Sequence, residues 1–458
     1  MHRFALDYLR QWKTKASRKP LVVRGARQVG KSHLVRMFAQ AEFKHLLEIN
    51  FERLAGAASL FESKAPTAIC RLLEARFNTP LIPGQSLLFL DEIQAAPAVF
   101  AVLRYFKEEL PGLHVIAAGS LLEFILQEHD FSMPVGRVEY LHLGPMVFEE
   151  FLLAMGRDSL RDWLCAYRAS DDMAAEMHAE LSRLFRQYVV VGGMPEAVAA
   201  FSRNGPFQEC EQIQEAVLAT FRDDFNKYSH RVRQQRVEKV FTRVPLLVGQ
   251  KFKYSHVDRE ERSRDLAEAL RLLQLARVLH KVRHTSANGV PLGAEADDRT
   301  FKVLFMDVGL LCRSCGLRTS DLAQSDDLML INSGAVCEQA VGQHLLHGGP
   351  IYIEPELFYW LRQRRGSSAE VDFIIAIGDQ VIPVEVKAGK TGTLKSMHVF
   401  LEEKHRGFGL RFNTDRPSLL STRTSVAHAP QRPFRLLSLP LYLVGQTTRL
   451  CEQMVSSK

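Results

Sequence analysis

A chain of 458 residues is long enough for about three domains, each able to bury its own core. Hydrophobic residues make up 46% and charged residues 24%, with no repeats or low-complexity tracts, which excludes a disordered, fibrous or membrane-embedded chain. The formal charge of +7 is small for this size, so it permits contact with nucleic acid without requiring it.

Arg3, Asp7 and Arg10 interrupt the N-terminal stretch, so no signal peptide is expected. Leu21-Val22-Val23 then predicts a short buried strand, and Leu34, Val35, Phe38 and Ala39 recur at helical spacing after it. Between the two, Gly25, Ala26, Arg27, Gln28, Val29, Gly30, Lys31 and Ser32 fit G-x-x-x-x-G-K-[ST], a phosphate-binding loop that opens a helix. Its glycines let backbone N–H groups turn onto phosphate oxygens, and the helix N-terminus adds a favourable dipole. ATP is the expected ligand: Lys31 reaches the β- and γ-phosphates, and the Ser32 hydroxyl holds Mg²⁺.

Downstream, the apolar run Leu87-Leu88-Phe89-Leu90 ends in Asp91-Glu92. Carboxylates at the C-terminal end of such a strand face the ligand side of an open α/β sheet. Asp91 is expected in the Mg²⁺ shell, and Glu92 is expected to orient the attacking water. A third strand, His114 to Ala118, leads into Gly119-Ser120, where Ser120 reads either as a γ-phosphate sensor or as the N-cap of a helix from Leu121 to Gln127. The longest near-apolar run, Val115 to Leu126, is broken by Gly119, Ser120 and Glu123 and is too short to span a bilayer. A cytoplasmic location with reduced thiols follows as the expectation, and Cys312-Arg-Ser-Cys315, a single C-x-x-C, is a weak zinc signal.

In the middle of the chain Arg231, Arg233, Arg236, Lys239 and Arg243 cluster with only Glu238 opposing them. Ser263 to Val282 predicts a helix, followed by a Gly- and Asn-containing loop over 284–298 and a strand from Phe301. That order suits a winged-helix DNA-binding module, or a helical connector with a solvated basic face.

The last third carries a second constellation. Helix Ala335 to Leu346 holds Glu338 at the edge of its apolar stripe, where a carboxylate needs a partner and a metal is one candidate. Period-2 alternation over 371–377 puts Asp372 opposite an apolar face, and a turn at Gly378-Asp379 leads to 381–387, where Glu385 and Lys387 share one face. Pairing these strands brings Asp372, Glu385 and Lys387 together, a pattern suited to metal-dependent phosphodiester hydrolysis: Asp372 and Glu385 hold Mg²⁺ and Lys387 activates water or offsets charge.

Arg27-Gln28-Val29-Gly30-Lys31, Asp91-Glu92-Ile93-Gln94, Gly119-Ser120, Gly136-Arg137, the run from Gly144 to Phe151, Val191 to Pro195 and Phe305 to Leu310 resemble a prokaryotic AAA-type ATPase family. Its members commonly carry a C-terminal domain of unknown function related to PD-(D/E)XK nucleases. The family usually has Thr where this chain has Ser32, a change that keeps the hydroxyl. The resemblance implies that Arg137 is an arginine finger or γ-phosphate sensor, against the plainer reading of a surface arginine. It also implies an αβββαβ nuclease-like core in which Glu338, Asp372, Glu385 and Lys387 match the motif positions. The expected fold class is therefore α/β: a P-loop NTPase parallel-sheet domain over 1–155, a helical and winged-helix-like region over 156–300, and a restriction-endonuclease-like domain over 301–458. Two functions fit this organisation. One is an ATP-dependent enzyme that grips and cuts DNA. The other is a nucleotide-switched module that binds DNA or a partner protein, with an inactive nuclease fold; a homo-oligomer is compatible with both, and neither involves a membrane.

Overall fold

Short apolar runs set the sheet of the first unit. In the computed structural model, which describes residues 1–120, 136–225, 231–317, 333–364, 367–389, 393–427 and 429–455, this unit comprises Met1–Gly144 with Leu275–Val278 and Gly349–Pro355. Its strands are β1 (Leu21–Arg24), β2 (His45–Asn50), β3 (Ser86–Asp91), β4 (His114–Ala118) and β5 (Glu139–His142). They lie in the order β2-β3-β4-β1-β5, and every pairing is parallel. A parallel sheet needs cover on both faces, and the central strands β3 and β4 are buried along their whole length. Helices Pro66–Phe77 and Pro97–Glu109 bury Ile69, Leu73, Val99, Phe100, Leu103 and Phe106 in one core with Leu88, Leu90 and Val115. Helices Ala5–Thr14 and Lys31–Glu42 contribute Leu9, Trp12, Leu34 and Phe38. The sequence reading named β1, β3 and β4; β2 and β5 are the edge strands, only partly buried and mixed in composition, so they lack the continuous apolar signal of the interior.

The second unit comprises Pro145–Gln274, Leu279–Gly348 and Glu356–Lys458. Its sheet contains β6 (Leu279–Thr285), β7 (Ala296–Phe305), β8 (Leu357–Arg364), β9 (Ser367–Ile377), β10 (Gln380–Val386), β11 (Phe408–Asn413), β12 (Ser418–Arg423) and β13 (Pro433–Pro440). Their order is β12-β13-β11-β10-β9-β8-β6-β7. Helix Ser333–His347, strands β8 to β10, helix Lys395–Glu403 and β11 follow one another as αβββαβ. The β9–β10 hairpin turns at Gly378-Asp379, with Gly378 at φ +60°, and pairs Phe373 with Val384.

The middle region departs from expectation. The helix that starts at Ser263 ends at Leu275, and Leu279 to Val282 are already strand. The β6–β7 hairpin does not stand apart as a wing, because β6 pairs in parallel with β8 and extends the C-terminal sheet. The boundary expected at residue 300 falls inside β7.

Two motifs from the sequence meet in this unit as a buried brace. Asp307 accepts from Gly193 N (2.6 Å), Leu310 N (3.1 Å) and Gln343 Nε2 (3.3 Å), while Gln343 Oε1 accepts from Val308 N (2.8 Å). Burial holds Asp307 above its ordinary carboxyl range, against these donors. The Cys312 and Cys315 thiols face the carbonyls of Val189 and Pro245, and all seven cysteines are unpaired. Among the described residues no helix is long and apolar enough to cross a membrane, and no group of three His, Cys, Asp or Glu side chains is arranged to hold a metal.

Candidate functional site

The loop between β1 and its helix is shaped by close backbone approach. A Cβ on Gly25 would stand 2.2 Å from the Leu143 carbonyl oxygen, and Gly30, at φ +90°, caps the helix Lys31–Glu42 in the left-handed region. Arg3, buried near the start of the unit's sequence, ties the loop down: Nη1 donates to Val29 O (3.1 Å) and Nη2 to Gly144 O (2.8 Å). Arg27 lies 3.8 Å from Glu52, and Gln28 has φ +62°. Lys31 is buried, and its ammonium donates to Gly25 O (3.0 Å) and Ala26 O (2.8 Å), so its charge sits inside the loop.

Asp91 ends β3 next to this loop. Ser32 Oγ donates to its carboxylate, 2.9 and 3.0 Å from the two oxygens, and Asn50 Nδ2 from the end of β2 donates to Oδ2 (3.2 Å). Burial pushes Asp91 above its usual range, against the Ser32 hydrogen bond, so a cation that replaced the neutral donors would be welcome there. Glu92 follows at φ +50° and accepts from Gln94 Nε2 at 2.5 Å. Ser120 at the end of β4 is buried, and its hydroxyl has no hydrogen-bond partner among the described residues. The expected P-loop residues, Asp91, Glu92 and Ser120 thus all lie at the C-terminal ends of β1, β3 and β4. The helix expected over Leu121 to Gln127 lies outside the described residues.

Arg137 is elsewhere. It precedes β5, whose Glu139 pairs with Leu21 at the start of β1, so about 13 Å of strand separates it from the loop at the end of β1. Its guanidinium pairs with Glu108 (2.8 Å) on the surface. A contact with the γ-phosphate of its own chain is out of reach.

The C-terminal residues converge as expected, around a group the sequence reading missed. Asp372 and Glu385 each lie one residue beyond the last β9–β10 pair, Phe373 with Val384, and Asp372 Oδ2 accepts from Val386 N (2.8 Å). Lys387 Nζ donates to Glu385 Oε2 (2.6 Å), while Glu385 Oε1 is buried without a hydrogen-bond partner among the described residues. Glu338 is also buried, and its partner is Lys302 of β7. The Lys302 ammonium, 1% exposed, lies 2.6 Å from Glu338 Oε1, 2.9 Å from Glu370 Oε1 and 3.7 Å from Asp372 Oδ1. Burial disfavours this charge, but the three carboxylates outweigh it and hold Lys302 above its ordinary pKa. Burial and the neighbouring carboxylates push Glu338 and Glu385 above theirs, against the two ammonium groups. Gly249 lines the same spot, since a Cβ there would be 3.0 Å from Glu338 Oε2.

Three residues of the basic cluster are already neutralised. Arg233 pairs with Glu268, Arg236 with Glu261 (2.8 Å) and Asp265 (2.9 Å), and Lys239 with Asp258 (2.8 Å) and Glu261 (3.1 Å). Of the expected basic residues, Arg243 is exposed, and the Arg231 side chain lies outside the described residues.

A parallel sheet with a phosphate-binding loop after β1 and carboxylates after β3 defines a P-loop NTPase domain. Residues 17–152 match a family described as an AAA domain, in keeping with the P-loop NTPase fold of that segment. Residues 182–321 and 333–430 match two families described as domains of unknown function, DUF8612 and DUF4143. No curated relative matches the chain. Among solved structures, the Walker-type ATPase PABY2304 of Pyrococcus abyssi is similar at 16% identity, with a TM-score of 0.44, over 69% of this chain and 95% of that one. The ORC2 protein of Aeropyrum pernix is similar at 12% identity and a TM-score of 0.34, covering 70% and 92%, and AMPPCP-bound DnaA of Aquifex aeolicus at 11% and 0.25, covering 59% and 87%. With TM-scores below 0.5 these likenesses add nothing to the fold read from strand order.

Proposed function

We propose that this protein binds and hydrolyses ATP at the loop formed by Gly25 to Ser32, with Mg²⁺ held by Ser32 and Asp91. The observation that carries the reading is the Ser32 hydroxyl set between both oxygens of a buried Asp91, at the N-terminus of the helix that Lys31 opens. When bound, Mg²⁺ supplies charge neutralisation between the β- and γ-phosphates. Lys31 exchanges its loop carbonyls for phosphate oxygens, Glu92 orients the attacking water, and Ser120 offers an unspent hydroxyl to the γ-phosphate. Arg137, too far to serve its own chain, would act as a finger on the nucleotide of a second copy. Phosphate release by purified protein is the test: Lys31→Ala should abolish it, and Glu92→Gln should spare ATP binding while slowing turnover at least ~10²-fold. Wild-type rates in both variants would remove the assignment.

For the second unit we infer a metal-dependent phosphodiesterase acting on DNA, supported by the bare Glu385 Oε1 beside Asp372. Asp372 and Glu385 fit a divalent ion; Glu338, already bound to Lys302, does not. Such an ion supplies Lewis-acid stabilisation of phosphate oxygens. Lys387 holds Glu385 in place and offsets charge. Contact with DNA is assigned to this face and not to the helix Arg231–Arg243, where Arg233, Arg236 and Lys239 are each paired with acids. Cleavage of plasmid DNA with Mg²⁺ or Mn²⁺, lost in Lys387→Ala, is expected; identical traces from both proteins would favour a nucleotide-switched binding module.

A further inference from the structure

In one cluster of the second unit the carboxylates outnumber, among the described residues, the cations that face them. Glu338, Glu370, Asp372 and Glu385 carry four negative charges when ionised, and Lys302 and Lys387 return two positive ones. The deficit equals the charge of a single divalent ion. Its distribution is uneven. Glu338, Glu370 and Asp372 Oδ1 are gathered around the Lys302 ammonium, whereas Glu385 has one oxygen on Lys387 and the other free.

We propose that Lys302 is the resident cation of this cluster, filling the position between Glu338, Glu370 and Asp372 and restricting the site to one divalent ion, held by Asp372 and Glu385. The ammonium cannot leave that position for water. It is 1% exposed, and it also lies 5.4 Å from the centre of the Tyr359 ring. A divalent ion bound at about 2.1 Å from the same Glu338 oxygen would come within direct repulsion of an ammonium only 2.6 Å from it. Gly249 closes the far side of Glu338, where any side chain would crowd Oε2. Glu385 is different, with one oxygen buried and bare, and that is where a cation adds a partner without displacing one. Lys302 is therefore a positioning residue: it holds Glu338 and Glu370 closely, stands farther off Asp372 at 3.7 Å, and leaves Asp372 and Glu385 to a metal.

The one-ion count rests on reading Asp372 and Glu385 as ligands, so the test separates the two claims. Mn²⁺ is titrated into the full chain without nucleotide, and free ion is followed by electron paramagnetic resonance. One tight ion is expected in wild type, lost in Glu385→Gln and kept in Glu338→Gln. Two ions in wild type, one of them lost in Glu338→Gln, would overturn the role of Lys302. The second measurement is the thermal midpoint of Lys302→Met, whose three stranded carboxylates should now take Mn²⁺, so that the ion raises this midpoint more than that of wild type. An equal response in the two proteins counts against a resident cation. No ion in wild type, with a clear response in Lys302→Met, would overturn the ligand reading of Asp372 and Glu385 while upholding Lys302 as the cluster's cation. Should Lys302→Met fail to fold, the ion counts in wild type and Glu338→Gln still decide.

Discussion

At the end of β3 one buried carboxylate, Asp91, is held by two neutral donors, Ser32 and Asn50, whereas across β7, β9 and β10 four carboxylates are held by two ammonium groups. Neutral donors satisfy hydrogen bonds and leave the charge uncompensated, so the first site stays receptive to a cation arriving with nucleotide. Ammonium groups consume charge. The second site has spent most of its own internally and keeps one oxygen, on Glu385, in reserve. The two sites thus differ in how their charge is met: one carboxylate keeps neutral donors, and four share two ammonium groups.

The sharpest way to break this comparison is to remove one partner from each site. Lys302→Met strands three carboxylates in a buried setting and should cost about 3–5 kcal/mol of stability. Ser32→Ala removes one neutral hydrogen bond and should cost about 1 kcal/mol. Urea denaturation of both proteins checks the ratio; equal losses would mean that the buried Lys302 ammonium contributes no more than the Ser32 hydrogen bond.

Buried histidines sharpen the same point with a third solution, neutrality. His344 donates from Nδ1 to Ala340 O (2.7 Å) and accepts at Nε2 from Phe148 N (3.0 Å), and burial lowers its pKa to about 4. The folded value lies below that of free imidazole, so the stability His344 contributes is whole above about pH 6.5 and is lost as pH falls toward 4, by up to about 1.4 kcal/mol per unit. His344→Gln keeps an acceptor for Phe148 and should flatten that decline in denaturation curves at pH 7, 6 and 5. His114 and His142, lowered to about 4 chiefly by burial, leave a residual slope. An unchanged slope in the variant would show that His344 titrates as freely in the fold as outside it.

The smallest effect is expected at the basic helix. Because Arg236 and Lys239 are solvent-exposed in part and paired with Asp258, Glu261 and Asp265, replacing both with Ala should leave the urea midpoint close to that of wild type. If DNA binding is measured against salt, the log–log slope should change by less than the ~0.9 that one lost phosphate contact produces. A fall of two contacts' worth would return DNA recognition to this helix.

What the sequence disclosed depended on how local each feature is. Gly25 to Ser32 form a contiguous loop, and the alternation around Asp372 and Glu385 spans one hairpin, so both were readable and their residues meet as expected. Arg3 and Asn50 reach Val29 and Asp91 through tertiary contacts that no short window contains. The acids facing the basic helix lie on the next segment, 258–268, and so the cluster looked uncompensated. The winged-helix expectation failed because the partner of β6 is β8, far along the chain. Lys302 had a signal that went unused: a lone charge between Phe301 and Val303-Leu304-Phe305 in a strand end that is otherwise entirely apolar and buried.

The central claim, that the first site exchanges its neutral donors and loop carbonyls for Mg²⁺ and ATP, is tested most directly by ligand-dependent stability. Thermal unfolding of wild type and Lys31→Ala should be followed with and without Mg²⁺–ATP at about 100 times its dissociation constant, where binding adds about 2.7 kcal/mol to the folded state. A clear upward shift in wild type, absent in Lys31→Ala and reduced without Mg²⁺, is the predicted result. Equal shifts in the two proteins, or none in either, would contradict it.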